Sequence, residues 1–153
     1  MFNIADIIDI AVRLEKNAID VYRRVIAQVA QPEMRTLLEW MISEEQRHCV
    51  WFEDLLRKAT GPSASVLMRA ANRDLLAGMI GGQSFSLKEV DFAALTDLGA
   101  LIDVMVEFEK DTILFYEMLS PFISEPETRS QLQTIVAEEK SHITRLEAQR
   151  PAS

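Results

Sequence analysis

The chain has 153 residues, a formal net charge of −8, 48% hydrophobic residues and 26% charged residues. This length suits one domain, and the composition is that of a folded rather than a disordered protein. The acidic balance and the absence of long Lys/Arg runs argue against binding to nucleic acid or to an anionic membrane surface. The N-terminal stretch lacks the features of a signal peptide and no apolar run is long enough to span a membrane, so we expect a cytoplasmic protein.

Apolar residues recur at spacings of three and four residues in four segments, which predicts four long helices at about 4–29, 32–59, 96–120 and 126–148. Pro32 and Pro126 fall where a first helical turn tolerates proline, and Thr96 is a candidate N-cap. Short turns join the first helix to the second and the third to the fourth. Each of these pairs should therefore form an antiparallel hairpin.

Residues 60–95 form a much longer link between the two hairpins. The amphipathic stretch from Ser65 to Met79 predicts one short helix within this link. A long crossover between helical hairpins is a known topology of four-helix bundles. We therefore expect one all-α domain over residues 1–153, a four-helix bundle with hairpins at about 4–59 and 96–148.

An internal repeat relates the two hairpins. When the sequence is shifted by 94 residues, 11 of the 34 positions from 15 to 48 match without a gap, against roughly two expected from average composition. Both copies keep 30 residues between the first matched Glu and the Glu of a Glu-x-x-His motif. The matched pairs are Glu15/Glu109, Lys16/Lys110, Ile19/Ile113, Tyr22/Tyr116, Pro32/Pro126, Glu33/Glu127, Arg35/Arg129, Leu38/Leu132, Glu44/Glu138, Glu45/Glu139 and His48/His142.

Every predicted helix carries a carboxylate on its apolar stripe, at Glu15, Glu45, Glu109 and Glu139. Four carboxylates in a bundle interior would repel one another, and each would lose roughly several kcal/mol of hydration free energy. Protonation would neutralise them, but neutral acids would still need hydrogen-bond partners. Two metal cations would neutralise the charge and use the carboxylate oxygens as ligands.

The repeated Glu-x-x-His motif supports the metal interpretation, because residues at i and i+3 share a helical face and can reach one ion. One Glu from each of two helices plus Glu-x-x-His from each of the other two is the known ligand set of di-iron and di-manganese bundles. We predict two metal ions, iron or manganese, with Glu45 and Glu139 as bridging ligands, Glu15 and Glu109 as terminal carboxylates, and His48 and His142 completing one metal each.

Other polar residues have weaker assignments. Tyr22 and Tyr116 lie two turns beyond Glu15 and Glu109, so their hydroxyls could hydrogen-bond ligating carboxylates, or they could be ordinary core aromatics. The repeated Glu44 and Glu138 sit one position off the apolar stripes, which favours surface salt bridges. Cys49 is the single cysteine, which excludes an internal disulfide and is typical of a small buried hydrophobe.

The segments EKNAIDVY and EKDTILFY, followed at equal distances by EEQRH and EEKSH, resemble the rubrerythrin-like branch of the ferritin-like superfamily. The resemblance covers both hairpins and implies a ferritin-like fold with a di-iron centre at the six residues named above. It also implies a homodimer. Proteins of this branch reduce hydrogen peroxide or oxidise ferrous iron with oxygen.

The sequence departs from that family in two respects. Rubrerythrins usually append a rubredoxin domain with four cysteines, which Cys49 alone cannot build, so we expect electrons from a separate rubredoxin-like protein or a small reductant. Peroxidase members also carry an extra carboxylate on the third helix just after the terminal Glu. Here Thr112 stands one turn after Glu109, and Asp111 is shorter and off the stripe.

The sequence therefore leads to one main functional hypothesis and two alternatives. The main hypothesis is a non-haem di-iron oxidoreductase that reduces hydrogen peroxide or oxidises ferrous iron with oxygen, with Glu45 and Glu139 central to catalysis. The alternatives are an iron-binding or storage protein of the ferritin-like type and a structural bundle with a vestigial metal site. Trp40, Trp51 and the apolar residues of the crossover favour a homodimer.

Overall fold

The computed structural model describes residues 4–61 and 97–152, which form four long helices. A 3₁₀ turn at Ser120–Phe122 follows the third helix. The helices are α1 (Ile4–Ile26), α2 (Pro32–Ala59), α3 (Leu98–Leu119) and α4 (Pro126–Glu147). The predicted all-α bundle is confirmed, with helix ends that differ from the predicted ones by three residues or fewer. The short helix predicted between Ser65 and Met79 lies outside the described residues.

The helices pack as two antiparallel hairpins. α1 packs most extensively against α2, α3 packs against α4, and contacts between α1 and α3 join the hairpins. Ile8 near the start of α1 shares an apolar cluster with Phe52 near the end of α2. At the opposite end of the bundle, Val25 shares a second cluster with Leu38. The bundle thus has an apolar core at each end.

Within the described ranges, no helix has the length and apolar character needed to cross a bilayer.

Helix starts follow from local chemistry. The Asp97 carboxylate accepts a hydrogen bond of 2.8 Å from the backbone N–H of Ala100, so Asp97 is the N-cap of α3. The predicted N-cap, Thr96, was wrong by one residue, because α3 begins at Leu98 and the capping side chain must come directly before it. α2 and α4 both begin at proline, whose missing N–H is unneeded in a first turn.

The repeated arginines bind the turn inside each hairpin. Arg35 donates a hydrogen bond of 2.7 Å to the carbonyl oxygen of Ile26 and a longer one, 3.3 Å, to that of Val29. Arg129 donates from Nε, at 3.0 Å, and from Nη2 to the carbonyl oxygen of Ile123, which is the repeat equivalent of Val29. These carbonyls lie at or just after a helix end, where the helix itself supplies no donors. The arginine pair therefore fixes both turns and, with them, the register of each hairpin.

Replacing Arg129 with Ala should destabilise the protein by about 1–3 kcal/mol, because Ile123 is fully buried and its carbonyl would lose its donor. Urea unfolding of metal-free protein measures this. Arg57→Ala is the matched control, since the exposed Arg57 pairs with the exposed Asp54, and it should cost roughly 0–1 kcal/mol. Equal losses in the two variants would contradict the role given to Arg129.

Candidate metal centre

All six predicted ligand side chains meet midway along the bundle, between the two apolar clusters. Each of them is at most 2% exposed to solvent. On α1, for example, Leu14 belongs to one cluster and Ala18 to the other, with Glu15 between them. Apolar packing at both ends keeps water away from the charged groups, so the electrostatic interactions among them are strong. The six residues are Glu15 on α1, Glu45 and His48 on α2, Glu109 on α3, and Glu139 and His142 on α4.

Their donor atoms fall into two sets, in each of which all atoms lie within 4.8 Å of one another. The His48 group contains Glu15, Glu45, His48 and Glu139, and the His142 group contains Glu45, Glu109, Glu139 and His142. Glu45 and Glu139 belong to both groups. Each group also has one carboxylate and one imidazole of its own, and both of these come from the same hairpin.

The imidazole Nδ1 atoms face the carboxylates. His48 Nδ1 lies 2.8 Å from Glu139 Oε1, 3.3 Å from Glu45 Oε2 and 3.6 Å from Glu15 Oε1. His142 Nδ1 lies 2.9 Å from Glu45 Oε1 and 3.2 Å from Glu139 Oε2. The third distance in that group, from His142 Nδ1 to Glu109 Oε1, is 3.5 Å. The two groups are therefore nearly identical in their inner geometry.

Seven buried atoms of this centre have no hydrogen-bond partner in the described part of the chain: Glu15 Oε2, Glu45 Oε1, Glu109 Oε2, both carboxylate oxygens of Glu139, and Nδ1 and Nε2 of His142. Several of these atoms are close enough to a neighbour to bond, so their angles must be unsuitable. An unpaired buried polar atom costs about 1–3 kcal/mol. Iron and manganese bind carboxylate oxygen and imidazole nitrogen atoms. The unpaired atoms of this centre are of these two kinds and lie close together, so the residues fit such ions.

Burial and mutual repulsion favour the protonated forms of some of these carboxyl groups in the protein alone. Burial and the neighbouring Glu139 raise the pKa of Glu109 to about 8 and also raise the pKa of Glu45. Burial alone would lower the pKa of His142, but contacts with three carboxylates outweigh it and raise that pKa to about 12. The pKa of His48 is raised for the same reason, by its contacts with carboxylates. For Glu139, burial is outweighed by contacts with Glu109 and both histidines, so its pKa is lowered. A bound metal would take the place of these protons.

Two buried tyrosines connect the hairpins. Tyr22 Oη donates to Glu109 Oε1, and Tyr116 Oη donates to Glu15 Oε1, so each tyrosine binds the carboxylate of the opposite hairpin. Burial, followed by the nearby carboxylates, raises the pKa of both phenols well above the usual value. Both hydroxyls therefore stay protonated and remain donors. They orient the two carboxylates that belong to only one group each.

Glu138 has a contact that the sequence reasoning missed. Arg47 Nη2 lies 2.7 Å from Glu138 and 2.8 Å from Glu44, so the expected salt bridges are present. The Glu138 carboxylate also accepts a hydrogen bond of 2.7 Å from Nε2 of His48, on the side of the ring opposite the carboxylate cluster. One signal was available: Glu44 and Glu138 match in the repeat and adjoin the predicted bridging residues.

The remaining polar side chains of interest have local roles. Cys49 Sγ lies 3.6 Å from Glu53, and burial raises the pKa of its thiol to about 11, which keeps it protonated. The Thr112 hydroxyl donates to the carbonyl oxygen of Phe108, so the position one turn after Glu109 is used by the helix itself.

Trp40 and Trp51 are both partly buried within the chain. The Trp40 ring packs edge-on against the His142 ring at 5.2 Å, and the Trp51 indole N–H donates to Gln131 at 3.0 Å. These rings therefore have partners within one chain, and the homodimer stays a prediction.

An open cavity of about 630 Å³ lies on the surface between α3 and α4. Its lining includes apolar side chains such as Leu132 and Val136, the charged Lys140, and one side of Tyr116. Tyr116 therefore lies beside this cavity and is also hydrogen-bonded to Glu15.

A helical bundle with a buried cluster of carboxylates and histidines is the architecture of the ferritin-like class. The chain resembles the crystal structure of a Thermotoga maritima protein described provisionally as a ferritin-like diiron-carboxylate protein, with a TM-score of 0.68, 18% sequence identity, and coverage of 96% of this chain and 93% of that one. At that identity the likeness establishes the fold. The family profile named Rubrerythrin matches residues 6–149, so the chain belongs to the rubrerythrin family. No curated protein sequence matches it significantly.

The metal-free protein should lose stability as the pH rises from about 4.5 to about 8. Glu109 has a folded-state pKa of about 8 against an ordinary value of 4.5, so folding takes up a proton in this window and stability falls as that proton is lost. Thermal unfolding after chelator treatment measures the effect. Glu109→Gln should make the slope less steep by about one proton, while the raised pKa values of His48 and His142 still contribute above about pH 6.5. Glu107→Gln, at an exposed position of the same helix, should keep the wild-type slope. Stability that rises across this window would contradict the shifted pKa.

Proposed function

We propose that the protein is a non-haem di-iron oxidoreductase of the rubrerythrin type, which reduces hydrogen peroxide or oxidises ferrous iron with oxygen. The observation that carries the proposal is the pair of donor groups that share Glu45 and Glu139. Two carboxylates common to both groups are suited to bridge two ions. Glu15 and His48 would complete one ion, and Glu109 and His142 the other.

The donor chemistry supports iron as the metal. Four carboxylates and two imidazoles offer oxygen and nitrogen but no sulfur, which suits iron or manganese better than a metal that prefers thiolates. Cys49 is directed to Glu53 and is not among the donor groups. Manganese is the second candidate on the same chemistry.

The chain would hold the metal ions, orient their ligands and exclude water from the reaction. Two ferrous ions would supply the two electrons that cleave the O–O bond of peroxide, and they would act as Lewis acids toward the oxygen atoms. Glu45 and Glu139 would hold the ions at a fixed separation. Tyr22 and Tyr116 would orient the terminal carboxylates through their hydrogen bonds.

Electrons for repeated turnover would come from outside the chain. Its single cysteine, Cys49, cannot form a four-thiolate iron site, so we propose a separate rubredoxin-like protein or a small reductant as the donor. Iron binding for storage is the second candidate function. It draws on the same buried groups but needs no external reductant.

Anaerobically reconstituted protein should bind two irons per chain, and Glu139→Ala should lose both, because Glu139 belongs to both groups. Glu109→Gln should lose only one. Asp54→Asn, at an exposed position on α2, is the control and should keep two. Elemental analysis after gel filtration gives the count. Two irons in the Glu139→Ala variant would show that the shared carboxylate is not needed and would overturn the assignment.

The reduced di-iron protein should be oxidised by hydrogen peroxide in stopped-flow absorbance, and Glu45→Ala should abolish this reaction, because Glu45 belongs to both donor groups and its loss removes both irons. A parallel trace with oxygen separates the two activities. Faster oxidation by peroxide supports a peroxide reductase, and faster oxidation by oxygen supports ferroxidation or storage. Wild-type protein that binds iron yet reacts with neither oxidant would contradict an oxidoreductase.

A further inference from the structure

The two donor groups have different neighbours around their histidines, although the internal repeat would make these surroundings equivalent. A shift of 94 residues relates His48 to His142 and Glu44 to Glu138. Perfect symmetry would therefore give each imidazole an outer carboxylate, with Glu138 behind His48 and Glu44 behind His142. Only the first of these contacts is present in the described residues.

On the His48 side the outer contact is well formed. Nε2 of His48 donates to Glu138 at 2.7 Å, while Nδ1 faces the carboxylate cluster. The Glu138 side chain is 30% exposed, and Arg47 holds it at 2.7 Å. A carboxylate on one ring nitrogen fixes the tautomer, orients the ring and raises the basicity of the other nitrogen. That other nitrogen, Nδ1, is the one that a metal in the His48 group would bind.

On the His142 side the equivalent contact is missing. Glu44 pairs with Arg47 and lies within 4.8 Å of the donor atoms of His48 and Glu138. Arg47 has no counterpart in the second copy of the repeat, where Ser141 stands, so the charge that draws Glu44 toward His48 is present on one side only. Nε2 of His142 has no hydrogen-bond partner in the described ranges.

The His142 ring packs instead against an aromatic side chain. Trp40 packs edge-on against the His142 ring, and the Arg145 guanidinium lies 4.2 Å from the centre of the Trp40 ring. An indole ring can orient the imidazole by contact, but it carries no negative charge to raise the basicity of Nδ1. The second copy of the repeat has Thr134 where the first has Trp40, so the sequence also differs at this position.

We infer that Glu138 is a positioning residue that makes the two metal positions unequal, so that a divalent transition metal binds first and more tightly in the His48 group than in the His142 group. This inference rests on the proposed two-metal function. It adds an order of loading: the metal of the His142 group is the last to bind and the first to be lost when metal is scarce.

Anaerobic titration of the metal-free protein with Co(II), followed by calorimetry and visible absorbance, tests the inference. Wild-type protein should bind two ions in separable steps. Glu138→Gln and Glu138→Ala should weaken the tighter step by about 10- to 100-fold, the usual effect of removing an outer partner of a ligating histidine, and should leave the weaker step unchanged.

Glu44→Gln is the matched control, because it removes the other carboxylate bound to Arg47. That carboxylate lies near His48 but makes no hydrogen bond to a ligand histidine among the described residues. Both of its binding steps should equal those of the wild type. Glu109→Gln should remove the weaker step and keep the tighter one, which assigns each step to its group. Circular dichroism of each variant verifies that the helices are intact.

An NMR signal distinguishes a positioning role of Glu138 from a general effect on protein stability. In the Co(II) protein the imidazole Nε2–H protons give paramagnetically shifted NMR signals. The His48 signal should exchange slowly with solvent in the wild type and in Glu44→Gln, and should broaden or vanish in Glu138→Ala because its acceptor is gone.

The outcomes also separate the two proposals. Wild-type protein that binds fewer than two ions would overturn the two-metal function and this inference together. Two ions of equal affinity, or equal losses in Glu138→Gln and Glu44→Gln, would overturn the inequality alone and leave the two-metal function standing.

Discussion

The structure depends on four buried carboxylates held together between two apolar clusters. Such an arrangement is strongly unfavourable without counter-charge, because each carboxylate loses its hydration and repels the others. In the protein alone, the two histidines and bound protons supply part of that charge, as the raised pKa values of Glu45, Glu109 and His142 indicate. Among the described residues, several carboxylate oxygens still have no hydrogen-bond partner, and they are directed at the same small volume.

The rest of the fold serves to hold that geometry. The apolar clusters at both ends exclude water, and the cross-hairpin bonds from Tyr22 and Tyr116 couple the two halves of the chain at the centre. Arg35 and Arg129 fix the turns within the hairpins, so the Glu-x-x-His motif of each second helix faces the Glu of the first. The repeated arginines, tyrosines and ligand residues thus set the register of the hairpins or line the centre.

Most of this could be predicted from the sequence, because helical periodicity and an ungapped repeat both depend on spacing along the chain. Those two patterns identified the four helices and the six side chains that the structure brings together. The contacts of Glu138 could not be predicted in the same way. Its partners His48 and Arg47 lie on another helix, and the direction of its side chain depends on how α2 and α4 pack. The different surroundings of His48 and His142 likewise arise from Arg47 and Trp40, which the repeat does not share.

Crystallography with anomalous diffraction at the iron edge would test the central claim most directly, using protein reconstituted and crystallised without oxygen. The account predicts two anomalous peaks per chain, both within bonding distance of Glu45 and Glu139, with one next to His48 and the other next to His142. A single peak, or a peak among Glu44, His48 and Glu138 outside the central cluster, would contradict it.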